Sequence, residues 1–302
     1  MIPASSNVGD GSSAGERSGG IGATTKIAAI IGHPVEFSLS PAMHNAGFAS
    51  LGIDWAYAAF DVAPGGAGDA LAAMRTLGIA GLSVTMPHKH DVAAAVDELD
   101  PAAAALRSVN TVVAIGDGRL RGHSTDGAGF VASLAEEGVS VGGRRIAVIG
   151  AGGAARSIVD ALARHEAAEI VVINRTLASA VAAVELAAGR GRVGDFSDVP
   201  SCDIVINTTS VGMGAAATST DSSDLPLDPA LLRPSHVVAD IVYHPRVTPL
   251  LAAAARVGAT TVDGLGMLVH QAVLQEQCWT GLMPQVGVLR EAAERHLRQR
   301  GQ

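Results

Sequence analysis

The stretch Arg145-Ile146-Ala147-Val148-Ile149-Gly150-Ala151-Gly152-Gly153-Ala154-Ala155-Arg156 constrains this chain more than any other. A short run of β-forming apolar residues breaks into glycines, and an alanine-rich helical pattern follows at once. A dinucleotide-binding fingerprint needs this strand–loop–helix setting. Gly150 serves the tight turn, Gly152 the close approach of backbone to ligand, and small Ala155 lets the helix lie on the strand. The free N–H groups of the loop and the positive end of the helix would hold a pyrophosphate. The next apolar run, Ile170–Ile173, ends in Asn174-Arg175-Thr176. An acidic residue there would take a ribose 2′-hydroxyl, whereas an Arg suits the 2′-phosphate of NADP. Taken alone, in a chain with 36 glycines, the same residues also read as an ordinary turn.

Around this unit the chain alternates strands and helices. Residues 1–22 are small and polar with almost nothing to bury, and read as a disordered tail. Ile27–Ile31 reads as a buried strand that ends at Gly32, and Ser40-Pro41 as the N-cap and first position of a helix running to about Gly52. The same serine, with Ser38, offers hydroxyls and N–H groups to a carboxylate, so both readings stand. A strand across Trp55–Val62 and a helix ending near Gly78 come next. The strand Ile79–Thr85 runs into Met86-Pro87-His88-Lys89, which puts Lys89 at a loop mouth beyond a strand's carboxyl end. His88 and His90 lack further ligands at metal spacing.

One helix over about Asp91–Leu106 is expected, then strands Ser108–Val113 and Leu120–Thr125 joined by Gly116-Asp117-Gly118. Asp126 precedes the helix Phe130–Glu137, either as its N-cap or as a functional carboxylate. Beyond Thr176 an Ala/Val helix reaches about Ala188. Buried strands are expected at Asp203–Asn207 and Val237–Val242, with residues 214–224 a mobile surface loop between them. Thr248-Pro249 caps a helix to Val257, Thr260–Val262 is a short strand, and helices follow through Trp279 and over Pro284–Arg298. The dinucleotide half implies a mostly parallel, doubly wound sheet.

With 302 residues the chain is long enough for two domains. Its net charge of −8 and 3% aromatic content argue against nucleic acid, and no apolar run approaches the roughly 20 residues of a membrane span. Two isolated cysteines, Cys202 and Cys278, form no disulfide framework or metal spacing, which fits a reducing cytoplasm. Of the 21 basic residues all but Lys26 and Lys89 are arginine. Arginine keeps its proton in proteins, so Lys89 is a candidate titratable amine.

The motifs together resemble the shikimate dehydrogenases, NADP-dependent enzymes that reduce 3-dehydroshikimate to shikimate. The resemblance rests on Gly32–Asn45 with its Ser-Leu-Ser-Pro, Val84–Lys89, Ser108–Thr111, Thr125-Asp126-Gly127 and the Gly150 loop with Asn174-Arg175-Thr176. Asn207–Met213, Asp240–Thr248 and Gly264–Gln271 complete it, from about Lys26 to the C-terminus. It implies an α/β fold of two domains: a discontinuous substrate domain, 23–126 and 264–302, with a Rossmann-type doubly wound NADP domain, 127–263, inserted between.

The resemblance also implies residue roles. Ser38 and Ser40 would bind the substrate carboxylate, with Tyr243 nearby, and Thr85, Asn110, Asp126 and Gln271 the ring hydroxyls. Lys89 and Asp126 would be the acid–base pair. Gly150, Ala151, Gly152, Gly153, Ala154, Asn174, Arg175, Thr176, Ile241 and Gly264 would line the NADP site, with no metal. The ligands would be small molecules, and the protein a monomer or homodimer. Three positions depart from the family pattern: Ser83 and Ser124 stand where Asn is usual, and Ser179 where Lys or Arg often gives a second grip on the 2′-phosphate. Related alternatives are a quinate-type dehydrogenase using NAD and a non-catalytic sensor of a shikimate-like ligand.

Overall fold

The computed structural model describes residues 20–299. All but the last three residues of the expected disordered tail lie outside that range. The first part of the chain holds β1 (Lys26–Gly32), α1 (Ser40–Ser50), β2 (Trp55–Asp61), α2 (Ala67–Leu77), β3 (Gly81–Val84) and α3 (Lys89–Ala95). It continues through β4 (Glu98–Leu99), α4 (Pro101–Leu106), β5 (Thr111–Ala114), β6 (Leu120–His123) and α5 (Asp126–Glu136). Next come β7 (Arg145–Ile149), α6 (Gly153–Arg164), β8 (Glu169–Ile173), α7 (Leu177–Val184), β9 (Gly191–Val193) and β10 (Ile204–Asn207). The chain closes with β11 (Val237–Asp240), α8 (Pro249–Val257), β12 (Thr260–Val262), α9 (Gly264–Thr280) and α10 (Val286–Gln299).

These elements build an α/β fold with two six-stranded sheets. The first has the order β2-β1-β3-β5-β6-β4 and is mixed. β1 runs parallel to β2 and β3, whereas β5 is antiparallel to both β3 and β6. The β5–β6 hairpin turns through Gly116, Asp117 and Gly118, all at positive φ, as the glycine pair predicts. The second sheet is wholly parallel, in the order β12-β11-β10-β7-β8-β9. That is the doubly wound dinucleotide-binding order, with the reversal between β7 and β10. Both faces of such a sheet are covered, so Ile146–Ile149 and Ile170–Ile173 are continuous apolar runs rather than alternating ones.

Ile158 and Leu162 of α6 and Phe130 and Leu134 of α5 pack on one face of the second sheet, and Leu250 and Leu251 of α8 on the other. In the first part, Leu71 and Met74 of α2 and Val92 of α3 cover Ile31, Leu82 and Val112. Helices α1, α9 and α10 share a separate cluster around Met43, Val269 and Leu289. α5 packs against both α6 and α9, and so ties the two sheets together. A Cβ at Gly129 would lie 2.6 Å from the Gln271 amide nitrogen, which is how closely α5 and α9 approach.

The single helix expected over Asp91–Leu106 is instead two short ones. Val96 is already extended, and Glu98–Leu99 pairs with β6 at Arg121 and Gly122. Asp100 then caps α4 by accepting from Ala103 N at 2.6 Å, with Pro101 in its first turn. Proline removes the N–H that a continuous helix would need there. The capping roles considered for Ser40 and Asp126 also differ from what is seen. Each is the first residue of its helix, and neither α1 nor α5 has a side-chain cap bond. Thr248 does cap α8, accepting from Leu251 N at 3.3 Å. Residues 214–224 are a series of turns ending in a short 3-10 turn at Ser222–Asp224.

Candidate active site

β3 delivers the chain into the turn at Met86-Pro87-His88, and α3 opens at Lys89. Lys89 Nζ donates to Asp126 Oδ2 at 2.6 Å, the two side chains being 27% and 14% exposed. Asn110, just before β5, donates Nδ2 to the other carboxylate oxygen at 2.7 Å and to Thr125 Oγ1 at 2.9 Å. Its own Oδ1 accepts from Thr125 N and from Thr111 Oγ1, both at 2.9 Å. Asp126 is therefore held on both oxygens and aimed away from the backbone of its own helix. His88 and His90 each bond a backbone carbonyl oxygen, of Val62 and Arg107, at 2.7 Å.

One cavity of about 350 Å³ brings together Ser38, Ser40, Thr85, Lys89, Asn110, Asp126, Ile241, Tyr243, Gly264 and Gln271. That volume is within the range of small-molecule sites. It lies between the carboxyl end of β3, the residues just after β11, and the first turns of α9. Among the described residues Lys89 and Asp126 are its only charged lining side chains, so whatever enters meets one ammonium and one carboxylate. Ser38 Oγ accepts from the Ser40 amide at 3.2 Å, and Gln271 Nε2 donates to Leu268 O at 2.9 Å within its own helix. Ile241 and Gly264 reach the same cavity from the side of the second sheet, with Gly264 against the Ile241 carbonyl.

The other residues read as NADP-binding lie outside that lining, at the carboxyl ends of β7 and β8. Gly150 has φ +111°, and a Cβ on it would fall 2.5 Å from Thr208 Oγ1. Gly152 is extended, with no atom of the described residues within 4 Å of an added Cβ, and α6 begins at Gly153 without a side-chain cap. The first N–H groups of α6 therefore face outward beside Ala151 and Ala154. Ala155 is fully buried in the cluster that holds Ile146 and Val148. Beyond β8, Asn174 Nδ2 donates to Thr176 O at 3.0 Å, which shapes the turn and leaves Arg175 exposed.

The sequence reading missed a buried polar set behind the cavity. Gln275 of α9 lines the cavity and is 2% exposed. Its neighbour Glu276 and His44 of α1 are fully buried and meet at 2.9 Å, His44 Nδ1 to Glu276 Oε1. Burial pushes the Glu276 carboxyl above its ordinary value, against the pull of His44. Tyr57 donates to Ser83 Oγ at 2.6 Å, so the departure at Ser83 belongs to this set. The available signal was the consecutive polar run Gln275-Glu276-Gln277 inside α9, but only packing decides that the first two point inward.

Comparison with known proteins identifies the family. The chain matches the families described as shikimate dehydrogenase substrate binding domain over residues 30–112 and shikimate / quinate 5-dehydrogenase over 133–266. It also matches the shikimate 5′-dehydrogenase C-terminal domain over 264–294. A shikimate dehydrogenase (NADP(+)) of Moorella thermoacetica is 42% identical, over 88% of this chain and 92% of that one. A shikimate dehydrogenase solved in complex with NADP+ superposes with a TM-score of 0.86 at 36% identity, covering 93% and 99% of the two chains. The shikimate 5-dehydrogenase of Thermus thermophilus, solved with NADP(H) and shikimate, gives 0.82 at 34% identity, covering 90% and 99%. On these matches, and on a doubly wound sheet beside a cavity that holds a lysine–aspartate pair, the chain belongs to the shikimate dehydrogenase family.

Proposed function

We propose that this protein catalyses the reversible NADPH-dependent reduction of 3-dehydroshikimate to shikimate, with Lys89 and Asp126 as the acid–base pair. The observation that carries the reading is the 2.6 Å Lys89–Asp126 contact in a cavity that also holds Ser38, Ser40, Asn110 and Gln271. The residues fit NADP: an open loop at Gly152, uncapped N–H groups at the start of α6, and exposed Arg175 for a 2′-phosphate. When bound, the nicotinamide supplies the hydride to the carbonyl carbon.

The protein's own groups do the rest. Hydride arrival turns the carbonyl into an alkoxide, so a proton must reach that oxygen. Lys89 Nζ, as ammonium, stabilises the growing charge and gives up a proton to it. Asp126 orients the amine through Oδ2 and receives the hydroxyl in hydrogen-bond contact, while Asn110 fixes its other oxygen. Ser38 and Ser40 hold the carboxylate, with Tyr243 nearby, and Thr85, Asn110, Asp126 and Gln271 the ring hydroxyls. In oxidation of shikimate the same groups act in reverse.

In this reading residues 23–126 and 264–302 form the substrate domain and 127–263 the NADP domain. In support, the strands of each sheet fall within one of those stretches, and α9 and α10 pack on α1. The working protein is a cytoplasmic monomer or homodimer, with both cysteines as thiols. Among the described residues no helix is long and apolar enough to cross a membrane. Steady-state rates with shikimate and quinate, each with NADP and NAD, test the assignment. Fastest turnover is expected with shikimate and NADP, and faster quinate oxidation with NAD would replace it.

A further inference from the structure

Both ends of the buried Gln275 amide are engaged. Nε2 donates to the Asn110 carbonyl at 3.1 Å, while Oε1 accepts from Ser83 Oγ at 2.8 Å and from His44 Nε2 at 3.2 Å. A carbonyl oxygen only accepts, so the nitrogen end of the amide must face Asn110 and the oxygen end Ser83 and His44. His44 Nε2 is then the protonated nitrogen on that side, and Nδ1 shares one proton with Glu276. Ser83, donating to Gln275, accepts from Tyr57. The Asn110 carbonyl thus orients the Gln275 amide and, through it, the hydroxyls of Ser83 and Tyr57 and the Nε2 proton of His44.

That carbonyl belongs to the residue that holds the reactive carboxylate. Hydrogen bonds run from the His44–Glu276 pair through Gln275 to Asn110, and from Asn110 Nδ2 to Asp126, whose other oxygen holds Lys89. By the resemblance drawn from the sequence, Asn is usual at the β3 position where this chain has Ser83. We propose that Gln275 supplies, from α9, the carboxamide which that pattern carries on β3, and that it is a positioning residue for the Asn110–Asp126–Lys89 assembly. The short Ser83 side chain leaves room for the longer side chain arriving from the opposite element. The kinetic readout of this proposal rests on the dehydrogenase reading above.

Four proteins test it: the parent, Gln275→Ala, Ser83→Asn, and the double variant, each first checked for folding by thermal melting. Gln275→Ala should lower kcat about tenfold or more with the KM for NADP unchanged, because a displaced reactive group costs rate rather than cofactor affinity. Ser83→Asn alone crowds a second carboxamide into filled space and should also lose activity. The double variant again has one carboxamide, and should recover to within about threefold of the parent, a strong departure from additivity. A double loss equal to the product of the single losses, or an undiminished kcat in Gln275→Ala, overturns the proposal. Should Gln275→Ala not fold, Gln275→Met fills the volume without the amide and gives the same comparison.

The side-chain amide resonances of Asn110 give a readout free of any substrate. They should move in Gln275→Ala and return in the double variant, and unmoved signals in Gln275→Ala overturn the proposal. If the parent turns over no shikimate while these signals move, the reaction assignment falls and the positioning role stands.

Discussion

Lys89 Nζ and Asp126 Oδ2 meet at 2.6 Å although 37 positions separate them along the chain. Lys89 opens α3 after the turn beyond β3, and Asp126 opens α5 after β6, so each sits on the first turn of a helix beyond a strand's carboxyl end. Rigid elements on both sides hold the pair, and Asn110 occupies the remaining carboxylate oxygen. An ammonium fixed in this way is already in place for charge that develops on a nearby oxygen.

Replacing Lys89 with alanine should therefore act on turnover. We expect kcat for shikimate oxidation to fall about a hundred- to ten-thousand-fold, with KM changed by no more than about threefold. Steady-state kinetics on folded variant protein checks this, and unaltered kcat would remove Lys89 from the reaction.

Arg175 lies exposed beyond β8, beside the loop at β7. If it grips the 2′-phosphate, Arg175→Ala loses a charge-assisted contact and should raise KM for NADP about 10- to 100-fold while leaving that for NAD nearly unchanged. Equal effects on the two cofactors would contradict the assignment. Because Ser179 brings no second cation, the loss in NADP preference should be close to complete.

The two loop glycines should separate folding from binding. Gly150→Ala forces a side chain to φ +111° and into Thr208, so the melting temperature should drop, with a cost of about 1–3 kcal/mol. Gly152→Ala meets nothing within 4 Å among the described residues and keeps an ordinary backbone, so the free protein should melt as the parent does. Its methyl would occupy the approach to the pyrophosphate, so the thermal shift given by added NADP should shrink. A normal NADP shift in Gly152→Ala would place the phosphates elsewhere.

Asp240, buried at the end of β11, gives a pH prediction. Burial outweighs its hydrogen bonds and raises the carboxyl from 3.8 to about 6. Between those two values the folded protein binds more protons than the unfolded chain, so stability falls as pH rises and stays lower above about 6. The rise corresponds to about 3 kcal/mol. An Asn at this position can still accept from Asn207 Nδ2 and Val242 N and face Thr248. Asp240→Asn should thus melt above the parent at pH 7.5, with the gap narrowing toward pH 4. Parallel melting curves across that range would show that the carboxyl carries no linkage.

Much of this protein was legible as text because local physics writes it. The run Ile146–Ile149, the turn at Gly150 and the small Ala155 are each dictated by neighbours a few residues away. So are the hairpin at Gly116–Gly118 and the cap at Thr248. The order of the motifs was likewise enough to gather Ser38, Lys89, Asn110, Asp126 and Gln271 into one expected site. Where local rules competed, the reading slipped. Asp91–Leu106 has helical composition throughout, but Pro101 and the pairing of Glu98–Leu99 with β6 divide it. Ser40 and Asp126 have good capping chemistry, but each falls one residue inside its helix, and the Asp126 carboxylate is taken by Lys89 and Asn110.

By itself, then, the sequence determined the periodic elements, the loop at Gly150 and the identities of the residues able to do acid–base chemistry. The tertiary structure alone decided that Lys89 and Asp126 touch, that Gln275 is buried against Asn110, and that Ser83 has a partner on α9. The physical reason is range. Turns and periodicity are set by backbone sterics over a few residues, whereas a polar side chain's partner is set by which distant element packs against it. A glutamine buried at a helix–sheet contact has the same one-letter code as one in water.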